Sequence, residues 1–123
     1  MSGVRIAHAP DGAVSWYAVF RPTRVDWPLS PPSAERTAMR GHRRFLDDLT
    51  ERGVCVAAGP LLDGSLEVAV LDGLLRREAR VVCERDPMVS GGHFTVELVP
   101  MRLSHERSTP AQQQEPALPV TPQ

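Results

Sequence analysis

The stretch VCVAAGPLLDGSLEVAVLDG, residues 54–73, decides the fold. It opens with β-branched and small apolar residues, turns at Asp63-Gly64, and resumes as an alternating apolar run from Ser65 to Gly73. Asp-Gly between two such runs is a strong hairpin signal, because both residues tolerate the positive φ that a tight turn demands. Gly59-Pro60 interrupts the first run: proline lacks the N–H that a ladder uses, and glycine has no side chain to pack. The pair predicts a bulge, or an edge where backbone comes close to a ligand. Residues 54–63 and 65–73 are therefore read as two adjacent strands.

Outward from this hairpin the pattern changes to helical spacing on both sides. Ser33 offers a capping hydroxyl, an acid follows at Glu35, and the apolar period continues toward Arg52, with Gly53 as the stop. On the other side, Leu75, Ala79 and Val82 share a helical stripe, and Pro87 makes Asp86 the last helical position of the 74–87 segment. MVSGG (88–92) reads as a flexible connector. Beyond the helices lie two more strands: SWYAVFR (15–21), apolar enough for burial on both faces, and HFTVELVPMR (93–102), alternating through Phe94, Val96 and Leu98. The order is β-α-β-β-α-β. That is a ferredoxin-like α+β arrangement, a four-stranded antiparallel sheet with two helices on one face. The other face is bare, and a second subunit would cover it.

The segments outside this unit carry no period. PTRVDWPLSPP (22–32) holds four prolines and is a loop. Residues 1–14 are expected as a loose arm and 104–123 as a disordered Pro/Gln-rich tail, which leaves 15–103 as the domain. A core of that size is small enough for association to help it, so a homodimer is expected. The net charge is −1, with no basic face, which argues against nucleic acid. No apolar run approaches the roughly 18 residues of a membrane span and no secretory leader is evident, so a cytoplasmic protein is expected. Cys55 and Cys83 do not make a disulfide framework. All 14 basic residues are arginine. Without a lysine ε-amine, a lysine Schiff base to pyridoxal phosphate or to a carbonyl substrate and the P-loop lysine are excluded.

Two ionisable residues stand where apolar ones would serve. His42 shares a helical stripe with Phe45, Leu46 and Leu49, and Asp86 follows Val82 by one turn on the second helix. An aspartate at a helix C-terminus opposes the dipole and seeks a donor or a cation. If the two meet, Asp86 orients the imidazole and raises its pKa, making His42 a base near neutral pH; a satisfied core histidine beside an ordinary helix stop is the competing reading. Other candidates for a pocket are Tyr17, Arg43, Gly59, Pro60, Ser90 and His93, each with a bland alternative. Tyr17 and Trp16 point to opposite faces of one strand, Arg43 lies among solvated arginines, and Gly59-Pro60 also fits a plain bulge. His42, Asp86 and His93 imitate a two-His-one-carboxylate metal triad, but no close ligand spacing supports it, so no metal or other cofactor is expected.

GHRRFLDDL (41–49), GVCVAAGPLLD (53–63), RDP (85–87) and LVPM (98–101) occur here in an order that resembles the YciI-like (YCII-related) family of the dimeric α+β barrel superfamily, over roughly residues 15–102. The resemblance implies a barrel closed by two sheets around a pocket. It also implies that the helix histidine and the aspartate of Asp-Pro, here His42 and Asp86, form the active-site pair. The proline-rich loop at 22–32 and the two tails depart from a compact member of that family. The superfamily holds isomerases, cofactor-free monooxygenases and haem proteins, so it does not fix one reaction. The expected activity is that of a cofactor-independent lyase or isomerase on a small cyclic or aromatic substrate. The alternatives are a non-catalytic dimeric ligand-binding or accessory protein of a biosynthetic or degradative pathway, and a cofactor-free monooxygenase.

Overall fold

The computed structural model describes residues 3–9 and 11–106. It contains β1 (Val4–Ile6), β2 (Val14–Pro22), α1 (Ser33–Glu51), β3 (Cys55–Pro60), β4 (Glu67–Leu74), α2 (Arg76–Glu84), α3 (Pro87–Ser90) and β5 (Phe94–Met101). The strands form one sheet in the order β1-β5-β2-β4-β3. β2 pairs antiparallel with both β4 and β5, β3 pairs antiparallel with β4, and β1 runs parallel to β5. The architecture is α+β, with five strands and three helices among the described residues. None of the helices is long and apolar enough to cross a membrane.

Alternation decides which sheet face is covered. Trp16, Ala18 and Phe20 of β2, Ala69 and Leu71 of β4, and Phe94, Val96 and Leu98 of β5 form one buried cluster. Leu49 of α1, Ala79 and Cys83 of α2, and Met88 and Val89 of α3 complete it, so the helices pack on that face. The residues between them point the other way: Tyr17 and Val99 are exposed, and Val19, Val68 and Val70 half-buried. The apolar run of residues 15–21 is thus covered on one side only, a correction to the expectation of burial on both faces.

Four further expectations change. The N-terminal arm is not loose: Val4–Ile6 adds a fifth strand against β5, in register Val4↔Val96 and Ile6↔Leu98. Three residues are too short to show a period, and their partners come from the far end of the chain, including Arg76 and Arg80, which donate to the carbonyls of Ile6 and Val4. Ser33 does not cap α1; it is the first helical residue, and extended Pro32 precedes it with no side-chain cap. Gly59-Pro60 does not break β3, which runs to Pro60; the irregularity lies between Cys55 and Ala57. β3 is an edge strand, where the missing proline N–H leaves no ladder bond unmade.

The fourth change matters most for the site. α2 stops at Glu84, and the supposed connector contains α3, whose N-cap is Asp86. Asp86 Oδ1 accepts from Met88 N at 3.0 Å, so the aspartate opens a helix instead of closing one. At an N-terminus its charge is favoured by the dipole and fixed by the cap. Elsewhere the element bounds hold within three residues, the largest difference being the end of β3, at Pro60 instead of the expected residue 63. Arg52 caps the end of α1, and Gly53 follows at φ 79. The β3–β4 turn closes with Leu61 N donating to Leu66 O at 2.9 Å around Asp63-Gly64. Most of the expected disordered tail, residues 107–123, lies outside the described residues.

Candidate active site

α1 delivers His42 to the core, where it is fully buried. The helix can come close because residue 41 is glycine: a Cβ there would stand 2.7 Å from Pro87 Cγ. This contact brings α1 onto the start of α3 and sets His42 against Asp86. His42 Nδ1 lies 2.7 Å from Asp86 Oδ2. Its other nitrogen, Nε2, lies 2.8 Å from Glu67 Oε1, at the first position of β4. Phe20 and Phe94 meet the imidazole edge-on at 5.3 and 5.4 Å between centroids, and Phe45 stacks at 6.4 Å. The imidazole therefore has aromatic walls and a carboxylate at each nitrogen.

That arrangement sets the charge of His42. A neutral imidazole has one N–H, so one of two ionised carboxylates would face a lone pair; an imidazolium donates to both. Burial pulls the pKa of His42 down, but the hydrogen bonds to Asp86 and Glu67, aided by their charges, outweigh it and push it up to about 9. Both nitrogens then carry protons that are already shared. His42 has no lone pair for a substrate proton or for a metal ion, and it does not meet solvent. The expected meeting of His42 and Asp86 is present, but the expected role of His42 as the base that touches substrate does not fit this geometry.

Glu67 is the member of the trio that reaches open space. It borders a cavity of about 270 Å³ and a second cleft of about 440 Å³ lined by α1 and β3. Asp86, His42 and Glu67 thus form a hydrogen-bonded chain from the core to a cavity wall. Sequence reasoning missed Glu67, although its signal was present: in LEVAVL it holds an alternate position with Ala69 and Leu71, the side that faces the core.

The 22–32 loop forms the far wall of the cavity with Trp27, Pro28 and Pro31. Two clasps hold it. Trp27 Nε1 donates to Gly64 O at 2.8 Å, tying the loop to the β3–β4 turn. Arg24 donates through Nε and Nη2 to the two oxygens of Glu35 at 2.9 and 2.8 Å, tying it to α1. The hydrogen bond from Arg24 holds the carboxyl of Glu35 below its ordinary pKa, against the opposing effect of burial.

The other sequence candidates separate. Arg43 and Pro60 border both cavities, and Gly59 borders the larger. His93 is half-buried immediately before β5 and borders neither of these two cavities. Ser90 is exposed at the end of α3, and Tyr17 faces out from the uncovered side of the sheet, so neither joins the His42 cluster. Among the described residues, no group of three or more His, Cys, Asp or Glu side chains is placed to hold a metal ion. Compared with known proteins, the chain matches no family model and no curated sequence.

Proposed function

We propose that the protein is a small acid–base catalyst, a lyase or isomerase, in which Glu67 exchanges a proton with substrate and His42 and Asp86 hold Glu67 in place and in charge balance. The observation that carries this reading is the chain Asp86–His42–Glu67, at 2.7 and 2.8 Å, ending on a cavity wall. A carboxylate can remove a proton beside a carbonyl. Returned to another carbon of the substrate, that proton completes an isomerisation; passed to a departing group, it completes an elimination. The buried imidazolium donates to Glu67 through Nε2, and its second N–H is fixed by Asp86. His42 and Asp86 are positioning residues in this scheme.

The YciI-like resemblance belongs to the same proposal, with one change: the histidine–aspartate pair acts through a second carboxylate. Antiparallel order β5-β2-β4-β3 supports a ferredoxin-like core to which β1 is added. The uncovered face, centred on Tyr17, Val70 and Val99, supports a homodimer that closes the barrel.

The test does not need the substrate. Small ketones, keto acids and aromatic carbonyl compounds incubated with the protein in D2O should exchange their activated protons, as read by proton NMR, and Glu67→Gln should abolish the exchange while folding normally. Exchange that is equal in the variant, or absent across the panel with wild-type protein, would count against the proposal. One observation favours a second reading, a non-catalytic ligand-binding protein: every buried side-chain polar atom among the described residues has a partner without any ligand. That protein would bind molecules in the cavity and exchange none of their protons.

A further inference from the structure

We infer that the 270 Å³ cavity is built for a small planar organic carboxylate, with Arg43 taking the carboxylate and Trp27 and Met39 taking the flat body; this deepens the proposal that Glu67 works on a ligand there. The inference starts from the ionic groups around the cavity. Glu35 is matched by Arg24, and Glu67 by His42, which Asp86 matches in turn. Arg36 donates Nη1 to the carbonyl of Pro31 at 2.6 Å, which fixes its head against the loop. Arg43, one position beyond His42, has no hydrogen bond or ion pair among the described residues. Arg24 also holds Asp26 at 2.9 Å, so Arg24, Arg36 and protonated His42 are all engaged, and Arg43 is the cation on the wall with its donors unengaged. An incoming anion therefore meets a guanidinium whose donors are unspent, and a guanidinium matches a carboxylate in a two-point geometry.

The rest of the wall is apolar and flat. Trp27, Pro28, Pro31, Met39 and Pro60 present one indole, three pyrrolidine rings and a thioether. The indole does not swing freely: its N–H is held by Gly64 O at 2.8 Å, its ring meets Phe94 at 5.4 Å, and the Arg24 guanidinium lies 5.7 Å from its centroid. A fixed aromatic wall favours a planar partner, since no side-chain freedom is lost on stacking. The volume sits at the small end of ligand sites, which suits a single ring with short substituents. A cation is disfavoured because both cavity-facing carboxylates already have partners.

Titration of the full chain with benzoate, benzamide and acetate, followed by ligand-observed NMR, tests this. Wild-type protein should bind benzoate, with benzamide about tenfold weaker for lack of the charge. Arg43→Gln, an exposed position, should lose about tenfold in benzoate affinity and nothing for benzamide. Trp27→Ala should weaken benzoate and leave acetate unchanged. No benzoate binding, benzamide equal to benzoate, or an Arg43→Gln variant binding benzoate as wild type does would each overturn the inference. The readout is binding, so it stands apart from the proton-transfer proposal. Glu67→Gln that loses deuterium exchange but keeps benzoate supports both. Exchange that depends on Glu67 alongside charge-blind binding leaves the chemistry and removes the ligand class.

Discussion

Gly41 and Pro87 meet so closely that a Cβ on the glycine would stand 2.7 Å from the proline Cγ. α1 and the start of α3 are spaced by this contact, and the 2.7 Å bond between His42 and Asp86 lies immediately beside it. Gly41→Ala would gain helix propensity of up to about 1 kcal/mol, yet the added methyl meets a rigid ring that cannot fold away. The expected net effect is a loss of about 1–2 kcal/mol in denaturant unfolding, with the overpacking cost exceeding the propensity gain. The downfield proton NMR signal of the His42 Nδ1–H should move upfield as the bond to Asp86 lengthens. A variant as stable as wild type with an unmoved signal would show that the helices have slack here.

Protonated His42 also makes a prediction about pH. Its pKa is pushed up to about 9 in the fold, above the ordinary 6.5. A raised folded-state pKa adds stability that is fully present below pH 6.5 and is lost as pH rises through 9. The span corresponds to roughly 3 kcal/mol at most. Burial, helped by the charge of Asp86, pushes the Cys83 thiol up to about 12, so its own loss of stability begins only above pH 9. Urea unfolding at pH 6 and at pH 9 should differ in this direction, and His42→Gln should flatten the difference. A wild-type stability that is level from pH 6 to 9 would show that the imidazole is neutral.

Glu67→Gln separates structure from chemistry. The amide oxygen that this substitution introduces can still accept from His42 Nε2, so folding should survive with a loss of about 1–2 kcal/mol. Deuterium exchange should fall by about two to four orders of magnitude, the usual worth of a positioned acid–base group. An uncharged amide makes a weaker hydrogen bond to His42 and no longer adds a negative charge beside it, so the imidazole should titrate lower in this variant. Folding and exchange both at wild-type levels would return Glu67 to a structural role.

Much of this site was legible in the sequence. His42 and Asp86 stand out because each occupies a stripe otherwise apolar, and the structure does bring them together across α1 and α3. Glu67 hid because a strand alternates whether its inward residue is polar or not, and the hairpin explained the segment without it. The capping role of Asp86 hid because Asp-Pro reads equally as a helix stop and a helix start. β1 was out of reach: only the pairing of Val4 with Val96, at the far end of the domain, makes it a strand. The loop at 22–32 announced its prolines but not its clasps, since Arg24–Glu35 and Trp27–Gly64 are contacts of the folded chain.

The uncovered sheet face predicts self-association. Tyr17 pairs across the ladder with Val70 on one side and Val99 on the other, and Val19 pairs with Val68, which makes a contiguous apolar patch. Tyr17→Asp places a charge at its centre without touching the helix-covered core. Ultracentrifugation should find a dimer for wild type and a monomer for the variant, with unchanged circular dichroism. A wild-type monomer at micromolar concentration removes the barrel from the proposal.

Arg24 joins the loop to the domain, and its loss should act on the cavity without reaching the trio. Its fork holds both oxygens of Glu35, a side chain only 4% exposed. Arg24→Ala would strand that carboxylate and release the wall that carries Trp27, lowering the urea midpoint at neutral pH; the loss is less than for a fully buried pair, because Arg24 itself retains some access to water. Glu35 is held below its ordinary pKa by Arg24, so the stability it confers is present above about pH 4.5 and lost as pH falls. Wild type and Arg24→Ala should therefore differ in urea midpoint at pH 7 and converge toward pH 3. The pH dependence between 6.5 and 9, which belongs to His42, should be the same in both. If Arg24→Ala altered the alkaline limb as well, the loop and the imidazolium would be one coupled unit. If it altered neither limb, the clasp would contribute nothing to holding the cavity wall in place.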